Sequence, residues 1–120
     1  MSEEMKKDFG FEVRHVGINC ENEEEAVKVA ARFEALFGFP KKVGNSSVFA
    51  GTGVEVMKTP YLGKNGHIAI GTTDIEGAVK YLESTGVEFD METAKYKNEK
   101  MIAVYMKEEV GGFAVHLVQK

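Results

Sequence analysis

The sequence predicts an α+β fold: two βαβββ modules that pair into one curved mixed-sheet cup with the helices on its outside. Three observations predict it. The first is an internal repeat: His15-Val16-Gly17-Ile18 returns as His67-Ile68-Ala69-Ile70 and Ala26-Val27-Lys28 as Ala78-Val79-Lys80, both after 52 residues. The second is that each copy runs from an alternating β-branched stretch into an apolar stripe of helical spacing. The third is that glycine-bounded short apolar runs follow each helix, the mark of antiparallel strands joined by turns. The 120 residues suit a single domain. Within it the expected divisions are a solvated tail (1–9), a first module (10–58), a linker (59–66) and a second module (67–120).

In the first module, Val13 to Ile18 reads as a strand. Asn22 followed by Glu25 resembles a capping box, and Glu23-Glu24-Glu25 complements the helix dipole. Ala26, Val29, Ala30, Phe33, Leu36 and Phe37 then form one apolar stripe. Gly38 is placed to stop the helix in the left-handed region, with Pro40 behind it. Strands are expected at Val43, at Val48 to Ala50 and at Val54 to Met57, separated by Gly44-Asn45 and Gly51-Thr52-Gly53.

The second module repeats the order. His67 to Ile70 is a strand, Asp74 an N-cap, and Ile75, Ala78, Val79 and Leu82 a helix stripe that Gly86 ends. Strands are expected near Glu88 to Thr93, at Met101 to Met106 and at Phe113 to Val118, with Val110-Gly111-Gly112 turning the last pair. The linker carries Pro60, Gly63 and Asn65-Gly66. It is the natural hinge if modules exchange between chains, and a homodimer is expected.

Composition excludes several classes. With 15 Lys and Arg against 19 Asp and Glu, the net charge is −4, and Arg14 and Arg32 are the only arginines. No basic footprint for nucleic acid is present. A lone cysteine, Cys20, rules out an internal disulfide framework and a cysteine-based zinc cluster, and no neighbouring base equips it as a nucleophile. No apolar run approaches the roughly 20 residues that span a bilayer, and the charged start of the chain does not read as a secretory signal. A cytoplasmic protein is expected.

Side chains alternate faces along a strand, which sorts the polar residues. Val16 and Ile18 share the face a helix can cover, and His15 shares the other with Gly17. Ile68 and Ile70 likewise oppose His67. Glu55 opposes Val54 and Val56, and His116 opposes Val115 and Leu117. Four metal-competent side chains thus stand singly in apolar strands, on the first and last strands of each half. Taken one at a time, a strand histidine is more often a hydrogen-bonded structural residue, and a glutamate between valines usually faces solvent. Their equivalent places in two repeats favour convergence at the floor of the cup. Three imidazoles and one carboxylate suit a divalent ion, Zn²⁺, Ni²⁺, Mn²⁺ or Fe²⁺. The Lys95-Tyr96-Lys97 cluster is expected in a solvated loop, although it could meet an anion. Tyr61 and Tyr105 are candidates to shape a pocket, their faces unassigned.

Two such modules with these polar positions resemble the vicinal oxygen chelate superfamily, which includes glyoxalase I, methylmalonyl-CoA epimerase, extradiol dioxygenases and bleomycin-resistance proteins. Gly66-His67-Ile68-Ala69-Ile70 is similar to the stretch that opens the second module of glyoxalase I. The resemblance implies metal ligands at His15, Glu55, His67 and His116. At the last of these, members usually carry the glutamate of a Gly-x-x-x-Glu-Leu segment, where this chain reads Gly112-Phe113-Ala114-Val115-His116-Leu117. The exchange makes the site more positive by one charge and leaves Glu55 as the candidate catalytic base. The stretch Val13 to Lys58 also resembles a glyoxalase-like domain associated with keto-deoxy-sugar-acid aldolases.

The function expected from this resemblance is a metal-dependent isomerase or lyase. Its substrate would be a small vicinally oxygenated metabolite (a hydroxy-ketone, 2-keto acid or sugar acid) chelated to the ion. The alternative is a non-catalytic ligand-binding module of the bleomycin-resistance type, or a regulatory partner of such an aldolase. An Fe²⁺ oxygenase is disfavoured, because the two-His-one-carboxylate set does not keep its usual order along the chain.

Overall fold

A computed structural model describes residues 9–120; the expected tail lies outside the described residues except for Phe9. The first half contributes β1 (Glu12–Asn19), α1 (Glu23–Phe37), β2 (Lys41–Val43), β3 (Ser47–Ala50) and β4 (Val54–Met57). The second contributes β5 (Gly66–Thr72), α2 (Ile75–Ser84), β6 (Phe89–Lys97), β7 (Lys100–Val110) and β8 (Phe113–Gln119). All eight strands form one mixed sheet in the order β2-β3-β4-β1-β5-β8-β7-β6. The order reads as the same sequence of strands from either edge, with β1 and β5 antiparallel at the centre. In each half the first and last strands, β1 with β4 and β5 with β8, run parallel. Such a pair needs a long crossover, and the helix and two hairpin strands between them provide it. The expected α+β cup is therefore present, an open sheet whose four central strands are the four that carry the singled-out polar residues.

The local signals act as their chemistry requires. Asn22 Oδ1 accepts from the Glu25 backbone N–H at 2.9 Å, and Gly38 closes α1 at φ 75°. Glu25 reaches back to the Glu21 N–H rather than to that of Asn22, so the capping box is displaced by one residue. Asp74 caps α2 through the Gly77 N–H, and the helix ends at Thr85, one residue before the expected glycine.

Each helix covers one half of the same sheet face. Ala26 and Ala30 of α1 pack on Cys20, Val48, Ala50 and Val56. Ile75, Ala78 and Val79 of α2 pack on Phe89, Met101, Val104 and Leu117. Phe9, expected in the tail, stacks on Phe11 and meets Tyr81, and its carbonyl accepts from the Thr72 hydroxyl. Among the described residues, no helix is long and apolar enough to cross a membrane.

The strand β6 also departs from expectation. The strand continues through Lys95-Tyr96-Lys97 instead of dissolving into a loop, and a two-residue turn at Asn98-Glu99 joins it to β7. Both turn residues have positive φ, 52° and 66°. That is the twist a tight hairpin needs, but Asn-Glu lacks the glycine that usually announces it.

Candidate metal centre

The four predicted side chains converge on the face the helices leave open. Strand register explains how. Gly17 on β1 lies between Glu55 on β4 and His67 on β5, while Ala69 on β5 lies between His15 and His116 on β8. Two residues with almost no side chain thus form the floor, and four long polar side chains lean over it from both sides. At Gly17 the smallness is obligatory: a Cβ there would stand 2.1 Å from the His67 ring.

His15 Nε2 lies 3.2 Å from His67 Nε2. Glu55 Oε1 lies 3.0 Å from His67 Nε2 and 3.3 Å from His15 Nε2. His116 completes the group, with one nitrogen from each imidazole within 4.8 Å of the others. Its ring stacks on Tyr105, centroids 4.4 Å apart and planes 9° from parallel. Ser47, which sequence reasoning passed over, donates its hydroxyl to Glu55 Oε2 at 2.7 Å. A serine at a strand start gives no signal of this in one dimension. Only the β3–β4 pairing brings it beside the glutamate.

Electrostatics follow from the packing. Contact with His15 and then His67, helped by Ser47, holds the Glu55 carboxyl far below the usual carboxylate range despite partial burial. Burial, reinforced by His67 and His15, pushes the His116 imidazole down to about 4, so it stays neutral. Burial, with Tyr61 and Glu55 adding to it, pushes the Tyr105 hydroxyl up to about 12, so it keeps its proton. The fate of Cys20 matches its sequence reading. It is buried, and desolvation followed by Glu25 raises its thiol to about 11.

A divalent ion fits this donor set. Ligands about 2.1 Å from a common centre stand about 3.0 to 3.4 Å apart in octahedral or tetrahedral geometry, and the three contacts among His15, His67 and Glu55 fall in that range. Between two facing imidazole nitrogens only one hydrogen bond is possible, whereas a cation satisfies both lone pairs. His116 Nε2 is buried with no hydrogen-bond partner, as is His67 Nδ1. A bound ion would satisfy the first; the second finds no partner among the described residues.

A cavity of about 520 Å³ opens over the group. Tyr61 and Tyr105, whose faces could not be read in sequence, both line it, as do Thr59, Thr93 and Lys95. Lys95 corrects the solvated-loop expectation: the extended β6 carries it onto the cup.

No protein-family model and no curated protein matches this sequence. Solved structures do. A Streptomyces coelicolor methylmalonyl-CoA epimerase variant with 2-nitronate-propionyl-CoA superposes with TM-score 0.63 at 16% identity, over 91% of this chain and 94% of its own. The Mycobacterium tuberculosis methylmalonyl-CoA epimerase gives 0.56 at 15% identity, over 89% and 86%. A variant of 4-hydroxymandelate synthase from Streptomyces coelicolor gives 0.57 at 16%, over 91% of this chain and 48% of that one. Epimerase and synthase alike belong to the vicinal oxygen chelate superfamily. The chain has the vicinal oxygen chelate fold. At these identities the likeness concerns architecture, and for the synthase it spans about half of that chain.

Proposed function

We propose that the chain is a metal-dependent isomerase whose small substrate chelates a divalent ion through two neighbouring oxygens. The observation that carries this reading is the triangle of His15 Nε2, His67 Nε2 and Glu55 Oε1, with sides of 3.0 to 3.3 Å, facing a cavity. His15, His67 and Glu55 would hold the ion, with His116 as the fourth donor. A bound ion supplies Lewis-acid stabilisation of an enolate or alkoxide. The epimerase neighbours favour an isomerase over a lyase outcome.

The residues of the chain would divide the remaining work. Ser47 fixes the Glu55 carboxylate so that Oε1 faces the histidines. Tyr105 keeps its hydroxyl proton and holds the His116 ring flat against it. Glu55 is the carboxylate lining the cavity among the described residues, so any proton step assigned to the chain falls to it. Both of its oxygens are already engaged, Oε1 by His15 and His67 and Oε2 by Ser47, which makes it a weak base.

That weakness favours a second reading, a non-catalytic module that binds a metal-chelating ligand. It also reopens the iron question. Order along the chain argues against a two-His-one-carboxylate face, yet His15, His67 and Glu55 form one in space. Metal analysis of protein purified without chelator or affinity tag tests the common core of these readings. About one divalent ion per chain, with a raised melting temperature on adding Zn²⁺, Ni²⁺ or Mn²⁺, is expected. Neither uptake nor stabilisation would overturn the metal centre.

A further inference from the structure

The cavity has a small charge inventory. Its lining includes one carboxylate, Glu55, and one lysine, Lys95, among the described residues. Both Glu55 oxygens are already engaged, Oε1 by His15 and His67 and Oε2 by Ser47. His116 stands at the place equivalent to Glu55 in the other half, so no second carboxylate offsets the cation. Lys95 is an exposed side chain on β6, placed with Thr93 and across from Ala103 on β7, and it lines the same cavity as His116. A divalent ion and Lys95 bring three positive charges against the single negative charge of Glu55. The two tyrosines facing the same space, Tyr61 and Tyr105, add hydroxyl donors.

A neutral chelator leaves that excess of two uncompensated in a partly desolvated space, whereas a ligand carrying its own carboxylate halves it. We infer that the cup takes an anionic chelator, a 2-oxo or 2-hydroxy carboxylate, in preference to a neutral hydroxy-ketone, and that Lys95 makes the choice. The inference rests on the metal reading above and narrows its substrate class. Lys95 selects through charge at the rim and takes no part in holding the ion. Its contribution is therefore screened by salt, while that of the ion is screened much less.

The test uses the full chain loaded with one equivalent of Ni²⁺, titrated calorimetrically with oxalate and with hydroxyacetone, metal content being measured before and after. Oxalate is expected to bind and hydroxyacetone to bind at least tenfold more weakly. Lys95→Gln should weaken oxalate by about fivefold, in the range of a screened exposed charge, and Lys95→Glu by more. Both variants should take up Ni²⁺ as the unaltered chain does, which also shows that they fold. Raising the salt should narrow the gap between the unaltered chain and Lys95→Gln. Equal binding of the two probes, or oxalate binding indifferent to Lys95→Gln, overturns the inference while leaving the metal centre standing. Failure of the unaltered chain to take up Ni²⁺, Zn²⁺, Mn²⁺ or Fe²⁺ overturns the metal reading and this inference with it.

Discussion

The two halves of the molecule share one topology and use it differently. In the first, a 15-residue helix covers strands of three and four residues. The core beneath is built of alanines, valines and Cys20. In the second, a 10-residue helix covers strands of seven to eleven residues, and the core holds Ile75, Phe89, Met101 and Leu117. The long β6–β7 hairpin of the second half reaches over the cup and supplies Lys95, Thr93 and Tyr105. The short strands of the first supply Ser47 and the carboxylate. At the centre the equivalence is nearly complete for His15 and His67 and broken at Glu55 and His116. A duplicated scaffold thus fixes where four side chains meet, and the residues at those places remain free to diverge.

The largest expected effect tests that broken equivalence. Glu55→Gln removes the one anionic donor of the triangle, and metal affinity should fall by more than about 100-fold, beyond the loss usual for an outer-shell partner. His116→Gln, at the matching position but outside the triangle, should cost less. Competition titrations against a chromophoric chelator give both numbers. The reverse order would mean that the two halves contribute in the opposite sense.

The next effect asks whether the small-residue core of the first half is as well closed as the larger one. Cys20 lies under α1 with its thiol raised to about 11. A free thiol levels off in reactivity near pH 9; here the thiolate should still rise about tenfold per pH unit from 7 to 10. At pH 8 alkylation by iodoacetamide should run roughly 100-fold slower than for an unperturbed thiol. A plateau near pH 9 would show that the first half opens readily.

A smaller effect probes the floor. Gly17→Ala places a methyl group against the His67 ring, so the ring must turn. Metal affinity should drop on the order of tenfold, with a changed visible spectrum of the Co²⁺-loaded protein. At the equivalent place Ala69→Gly should leave the spectrum alone and cost roughly 1 kcal/mol in urea unfolding, the usual penalty of glycine in a strand. Identical spectra for the two variants would show that the floor does not orient His67.

Much of this was legible along the chain. The repeat, both N-caps, the Gly38 stop and the alternation that isolates His15, Glu55, His67 and His116 are local or periodic properties, and each is realised where the residues call for it. Other features depend on contacts between distant segments. Ser47 reaches Glu55 through β3–β4 pairing, and Tyr105 meets His116 through β7–β8 pairing. Lys95 belongs to the cup because β6 runs on to a turn without glycine.

The sequence by itself determined the fold class and the four side chains set against the apolar faces, because side-chain period and capping chemistry act within a few residues. Tertiary structure decided what the four can do. Glu55 comes within 3.0 Å of one histidine and 3.3 Å of another. Those contacts turn the expected base into a tightly held anion. Lys95 likewise joins Glu55 at the cup only once β6 pairs with β7, because charges far apart in sequence interact only after the chain brings them together.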